Sequence, residues 1–135
     1  MKPPTDQQVA KDLGWRCEWR KCRNAPGKMR MWIPPRYVSE SRGWMDMPCP
    51  PIFTMSVDVL SAAIRPLGIG YEIKAWPISK GNQTASCDAY VWRNWGYDSK
   101  VYGHGTTPAL ALAAAVRSYV KAEKRNPNKM LGKKP

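Results

Sequence analysis

The stretch Thr107-Pro108-Ala109-Leu110-Ala111-Leu112-Ala113-Ala114-Ala115-Val116 constrains this chain more than any other. Thr107 is a good helix cap, and Pro108 suits the first helical position, where its missing N–H has no partner to lose. Leu112, Ala115, Val116, Tyr119 and Val120 fall on one apolar stripe at helical spacing. Five alanines between Ala109 and Ala115 have almost no side chain to hold a neighbour away. The pattern predicts a helix near 107–124 whose backbone lies close against a sheet, so the rest of the chain must supply that sheet.

Thr5-Asp6-Gln7-Gln8 has the form of a capping box, and Gly14 supplies a stop, which predicts a helix over about 6–13. From Trp15 to Arg23 and from Lys28 to Ile33, apolar and charged residues alternate with period two around the turn cluster Asn24-Ala25-Pro26-Gly27, as in a hairpin. Residues 34–55 are proline-rich and show no clear period, so they are expected to form a long connection packed on the body through Tyr37, Trp44, Met45 and Phe53. Ser56 caps a helix ending near Pro66 and Gly68, with Leu60, Ala63, Ile64 and Leu67 on one face. Strands follow at Tyr71–Trp76, Ala85–Trp95 and Ser99–Tyr102, with turns at Lys80–Gln83 and Trp95–Asp98.

The expected fold class is α+β, in the order αββ-αβββ-α, with a mainly antiparallel sheet. On the strand around Cys87–Trp92 both faces carry apolar residues, so helices are expected on both faces of the sheet, an α-β-α sandwich. The length of 135 residues suits one domain, 1–125, and the lysine-rich stretch 126–135 reads as a mobile basic tail. No run approaches the ~18 apolar residues of a membrane span, and the start of the chain lacks the apolar core of a secretory signal. A cytoplasmic protein with no membrane partner is expected.

The charge narrows the partners. Twenty-two basic against ten acidic residues give +12, and the excess sits at the two ends of the chain. Such a balance favours an anionic partner, nucleic acid or an acidic protein face. Arg117, Lys121, Lys124 and Arg125 make a second stripe on the last helix, and Arg16 and Arg20 line one face of the first strand. These six are the candidate anion-binding residues. Trp15, Trp19, Tyr90 and Trp92 are read first as core, although their interleaving with Arg16, Arg20, Arg30 and Arg93 would also suit base stacking.

Catalytic chemistry finds little support. Cys17, Cys22, Cys49 and Cys87 lack the paired spacing of a zinc site and are expected as free thiols. His104 is the only histidine, and no nucleophile, base and acid fall into a set around it. Gly103-His104-Gly105-Thr106-Thr107 is a candidate phosphate turn, glycine-rich before a helix start, but it is neither a P-loop nor a dinucleotide fingerprint. No enzyme, no metal and no cofactor are expected.

One likeness covers roughly residues 5–122. Leu13-Gly14-Trp15, Phe53-Thr54-Met55-Ser56-Val57-Asp58, the aromatic strands through Trp76 and Tyr90, and Gly105-Thr106-Thr107-Pro108-Ala109 before an alanine-rich helix resemble the phage α-β-α sandwich domain family of small phage and prophage proteins. The resemblance implies the fold and a phage origin, and it supplies no catalytic residue. With the charge, the expected function is that of a small non-enzymatic accessory or counter-defence protein acting in the host bacterial cytoplasm on nucleic acid or an acidic host protein. The alternatives are a structural or virion assembly component, or a nucleotide-binding sponge at the glycine-rich turn. The oligomeric state stays open, a homo-oligomer included.

Overall fold

The computed structural model describes residues 3–21, 26–76, 86–93 and 100–125, without the side chains of residues 41, 42, 76, 124 and 125. The tail 126–135 and the expected turns at Lys80–Gln83 and Trp95–Asp98 lie outside the described residues, as does Cys22. The elements run α1 (Asp6–Asp12), β1 (Arg16–Lys21), β2 (Lys28–Ile33), α2 (Arg36–Arg42), α3 (Val57–Ile64), a 3-10 turn (Arg65–Leu67), β3 (Ile69–Trp76), β4 (Ser86–Arg93), β5 (Val101–Gly105) and α4 (Pro108–Arg125). This is an α+β fold with two antiparallel sheets: the β1–β2 hairpin, and a three-stranded sheet in the order β3-β4-β5.

The helix starts follow the sequence signals. Thr5 and Gln8 form the reciprocal capping box at 3.1 and 3.2 Å. Ser56 Oγ accepts the Val59 N–H at 3.2 Å, and Thr107 Oγ1 accepts the Leu110 N–H at 3.1 Å. α2 is the element the sequence pattern does not reveal. It has seven residues, follows Pro34-Pro35 and closes on Gly43 with φ 68°, and Val38, the one buried residue among its described side chains, is too little to show a period. Residues 34–55 are therefore not a bare connection. Tyr37 donates to the Leu13 carbonyl at 2.5 Å, and Met47 bridges to Trp32 at the edge of β2. Trp15, Trp44 and Phe53 meet as an aromatic cluster with ring centroids 5.8 to 6.4 Å apart. Met45 does not join them and stays exposed.

α4 covers the three-stranded sheet. Cys87, Ala89 and Val91 of β4 are buried beneath it, with Leu112, Val116 and Tyr119 of the helix. The approach is closest at β5. A Cβ on Gly103 would stand 2.1 Å from the Ala115 nitrogen and 2.6 Å from the Ala111 carbonyl oxygen. One on Gly105 would stand 2.6 Å from the Ala111 nitrogen. The two glycines therefore belong to the strand, which runs to Gly105 and not only to Tyr102. They are glycine because helix backbone occupies the space a side chain would need. Arg93 ties the far end, donating to Tyr119 Oη at 2.9 Å and to Glu123 Oε1 at 3.4 Å. Burial, with the hydrogen bond to Glu123 adding to it, pushes the Tyr119 phenol well above its ordinary pKa.

The expected helical layer on the opposite face is not seen among the described residues. Residues alternating away from α4 are Asp88, Tyr90 and Trp92 on β4, with Tyr102 and His104 on β5. Tyr102 and His104 are exposed, and Tyr90 and Trp92 are half-buried. The apolarity of Tyr90 is met by its cross-strand neighbour Tyr102, at 5.6 Å between ring centroids, rather than by a helix.

Gly103→Ala tests the close approach. It is expected to lower unfolding free energy by at least about 2 kcal/mol, the upper part of the range for overpacking. Urea denaturation checks this, and an unchanged midpoint and slope would contradict it.

Candidate nucleic-acid interface

The β1–β2 hairpin divides into a buried root and an exposed arm. Trp32 and Ile33 at the root are buried, and Cys17 is packed against the core. Further out, every described residue from Trp19 to Arg30 is exposed. This holds on both faces of the ribbon. Trp19, Lys21, Lys28 and Arg30 share one face, and Arg20 and Met29 lie on the other, with Trp19 opposite Arg30 and Lys21 opposite Lys28. Trp19, read as core from its alternation with Trp15, is 66% exposed. The period of two is satisfied, but the strand outruns the body, and alternation alone cannot tell where the cover stops.

The arm is basic. Arg20, Lys21, Lys28 and Arg30 lie on its described residues, and the sequence between the strands adds Arg23. The Arg30 guanidinium lies over the Trp19 ring, 5.9 Å from its centroid, so the indole fixes a cation in place. Arg16 and Arg20 fall on one face with Glu18 between them, at 3.1 and 3.8 Å, and Arg20 also reaches Asp46 at 3.5 Å. These exposed pairs contribute on the order of 0–1 kcal/mol each and leave the guanidiniums accessible. Lys21, Lys28 and Arg30 pair with no described carboxylate. Lys21 and Lys28 escaped the sequence reading, which attended to the arginines. Their signal was a cross-strand lysine pair beside a turn, where like charges oppose each other at some cost.

The basic stripe of the last helix does not survive as a unit. Arg117 Nε donates to Asp12 Oδ2 at 2.6 Å, with the two side chains only 26% and 14% exposed. It clamps α4 to the end of α1 and is not a free phosphate ligand. Lys121, one turn on, is exposed. The side chains of Lys124 and Arg125 lie outside the described set. Gly103, His104 and Gly105 are strand residues, and only Thr106 and Thr107 lie between β5 and α4. Thr107 caps the helix, so the five residues do not form a single turn.

Cys17, Cys49 and Cys87 are free thiols, and no group of three metal-ligating side chains occurs among the described residues. No described helix is long and apolar enough to cross a membrane. No family model, no curated protein and no solved structure matches this chain. The resemblance to the phage α-β-α sandwich family rests on its short motifs.

Arg117→Gln is expected to destabilise the protein by about 1–2 kcal/mol, between the values for exposed and buried pairs. Lys121→Gln should stay within about 0.5 kcal/mol of the parent. Thermal and chemical denaturation of the two variants check the contrast. Equal effects would show that the Arg117–Asp12 pair holds nothing.

Proposed function

We propose that this chain is a non-enzymatic binding protein whose partner is nucleic acid, engaged by the β1–β2 ribbon. The observation that carries the reading is the exposure of the outer hairpin on both faces together with its cations. An isolated two-stranded ribbon is marginal in water, and nothing in the body requires this one to extend so far. A partner that enters between or alongside its side chains accounts for the extension. A two-stranded ribbon fits the major groove of a duplex, and lysines and arginines on both of its faces meet the phosphates that flank a groove. Trp19 and Met29 add apolar contact at sugars and bases. The net charge of +12 adds attraction at long range.

In the setting of the phage resemblance, such a protein is an accessory or counter-defence factor acting on nucleic acid in the host cytoplasm. An acidic host protein as partner, or a role in the virion, is the reading that remains if duplex binding fails.

The test is a triple variant, Lys21→Gln, Lys28→Gln and Arg30→Gln, titrated with duplex DNA by fluorescence anisotropy between about 50 and 200 mM salt. The parent is expected to bind with a steep salt dependence. The variant should lose roughly 2 to 3 units of that slope, about one per phosphate contact removed. Its melting temperature should change little, since the three side chains are exposed. An unchanged slope would remove the ribbon as the interface. No binding by the parent even at about 50 mM salt would remove the nucleic-acid reading.

A further inference from the structure

The face of the β3–β5 sheet that α4 leaves open carries a second arrangement, separate from the ribbon. Tyr90 and Tyr102 are cross-strand partners with rings 5.6 Å apart at 53°. Tyr102 is 50% exposed, and its ring is held rather than loose: the phenol donates to Asp88 Oδ1 at 2.7 Å. Two ammonium groups stand beside the pair. Lys100 Nζ is 5.2 Å and Lys74 Nζ 5.8 Å from the Tyr90 centroid, and Lys74 also stands 3.9 Å from Glu72 Oε1 in an exposed pair that leaves the ammonium accessible. His104 Nδ1 lies 2.9 Å from the same Asp88 oxygen. The carboxylate holds the ring by Nδ1 and leaves Nε2 for a hydrogen bond on its far side.

A fixed aromatic plane, two cations beside it and an oriented ring nitrogen are the parts that hold a nucleobase and its phosphate. The base stacks on the exposed tyrosine, the ammonium groups meet the phosphate, and His104 Nε2 hydrogen-bonds the polar edge of the base. The surface continues past the tyrosine. An apolar groove lined by Tyr102, His104, Leu110, Ala114 and Pro4 runs between β5 and α4. β5 is the last strand of the three-stranded sheet, and no described strand pairs with its outer edge. A neighbouring base can lie against that edge and hydrogen-bond to it.

We infer that this open face is a site for an unpaired nucleobase with its phosphate, supplied either by a single-stranded segment or by a free nucleotide. It does not rest on the ribbon, since no residue is shared and a paired duplex hides the base faces that this site requires.

The experiment titrates the full chain with a short single-stranded oligonucleotide and, separately, with AMP, alongside the duplex. Tyr102→Ala is expected to weaken oligonucleotide binding about tenfold, within the range that base–aromatic stacking supplies, and to leave duplex affinity unchanged. Tyr102→Phe keeps the ring and should retain most of the affinity. The double variant Lys74→Gln and Lys100→Gln should lower the single-strand salt slope by roughly 1.4 units, about 0.7 per lost phosphate. This variant changes only surface lysines and serves even where Tyr102→Ala fails to fold. Tighter binding of the oligonucleotide than of AMP assigns the site to a strand, and equal binding assigns it to a nucleotide. Each of these supports the site. The inference is overturned if the parent binds neither probe, if Tyr102→Ala folds and binds like the parent, if the lysine variant keeps the full slope, or if duplex binding falls in parallel.

Discussion

The seating of α4 on β5 organises this molecule. Helix backbone and strand backbone meet where Gly103 and Gly105 have no side chains and where Ala111 and Ala115 have almost none. Such contact leaves no room for an intervening layer, so the large side chains go to its flanks. Leu112, Val116 and Tyr119 fill the space over β4, and α3 and α1 close around the helix with Leu60, Ile64 and Val9. Arg117 with Asp12, and Arg93 with Tyr119 and Glu123, pin the helix at two further points. The three strands of the sheet, α3 and α1 are all packed against this one helix.

A single covering helix has a consequence for the surface. It shelters one side of a three-stranded sheet, and on the other side, where no described helix packs, Tyr90, Tyr102, Asp88 and His104 make a polar and aromatic face of their own. The hairpin is attached differently. Its root is anchored by Trp15 and Trp32 and by the Met47 bridge, and Trp15 joins the cluster with Trp44 and Phe53. Its outer half is held by the ladder and by Arg30 stacked on Trp19. These are weak restraints, of the kind found where a segment is ordered for contact with something else. The two exposed regions thus arise from one cause, a core concentrated around α4.

The sequence was most legible where local chemistry decides the outcome. Thr5, Ser56 and Thr107 each act on neighbours three residues away, so the helix starts could be read without the fold. The alternation from Trp15 and from Lys28 likewise revealed both hairpin strands. Reading failed where one residue type serves two purposes. Gly103 and Gly105 looked like turn residues because glycine usually breaks a strand, and only the position of Ala115 shows why the strand needs them. α2 was hidden because seven residues are too short to establish a periodicity. Tyr90 and Trp92 suggested a second helical layer, but an aromatic ring can be half-buried by its strand neighbours. Of the candidate site, Arg16 and Arg20 were found from strand spacing, whereas Arg117 looked free because its partner Asp12 lies far away in the chain. Exposure of the arm was not readable at all, since it depends on how far the body extends beneath it.

The central claim is that the exposed, charged ribbon is the interface, and that Arg117 of the last helix, paired with Asp12, is not part of it. The most direct measurement follows backbone amide chemical shifts of the full chain as a short DNA duplex is added at low salt. The account predicts the largest changes from Trp19 to Lys21 and from Lys28 to Arg30, with α4 from Leu110 to Val120 unmoved. Changes concentrated at Arg117–Lys121, with the ribbon silent, would contradict it.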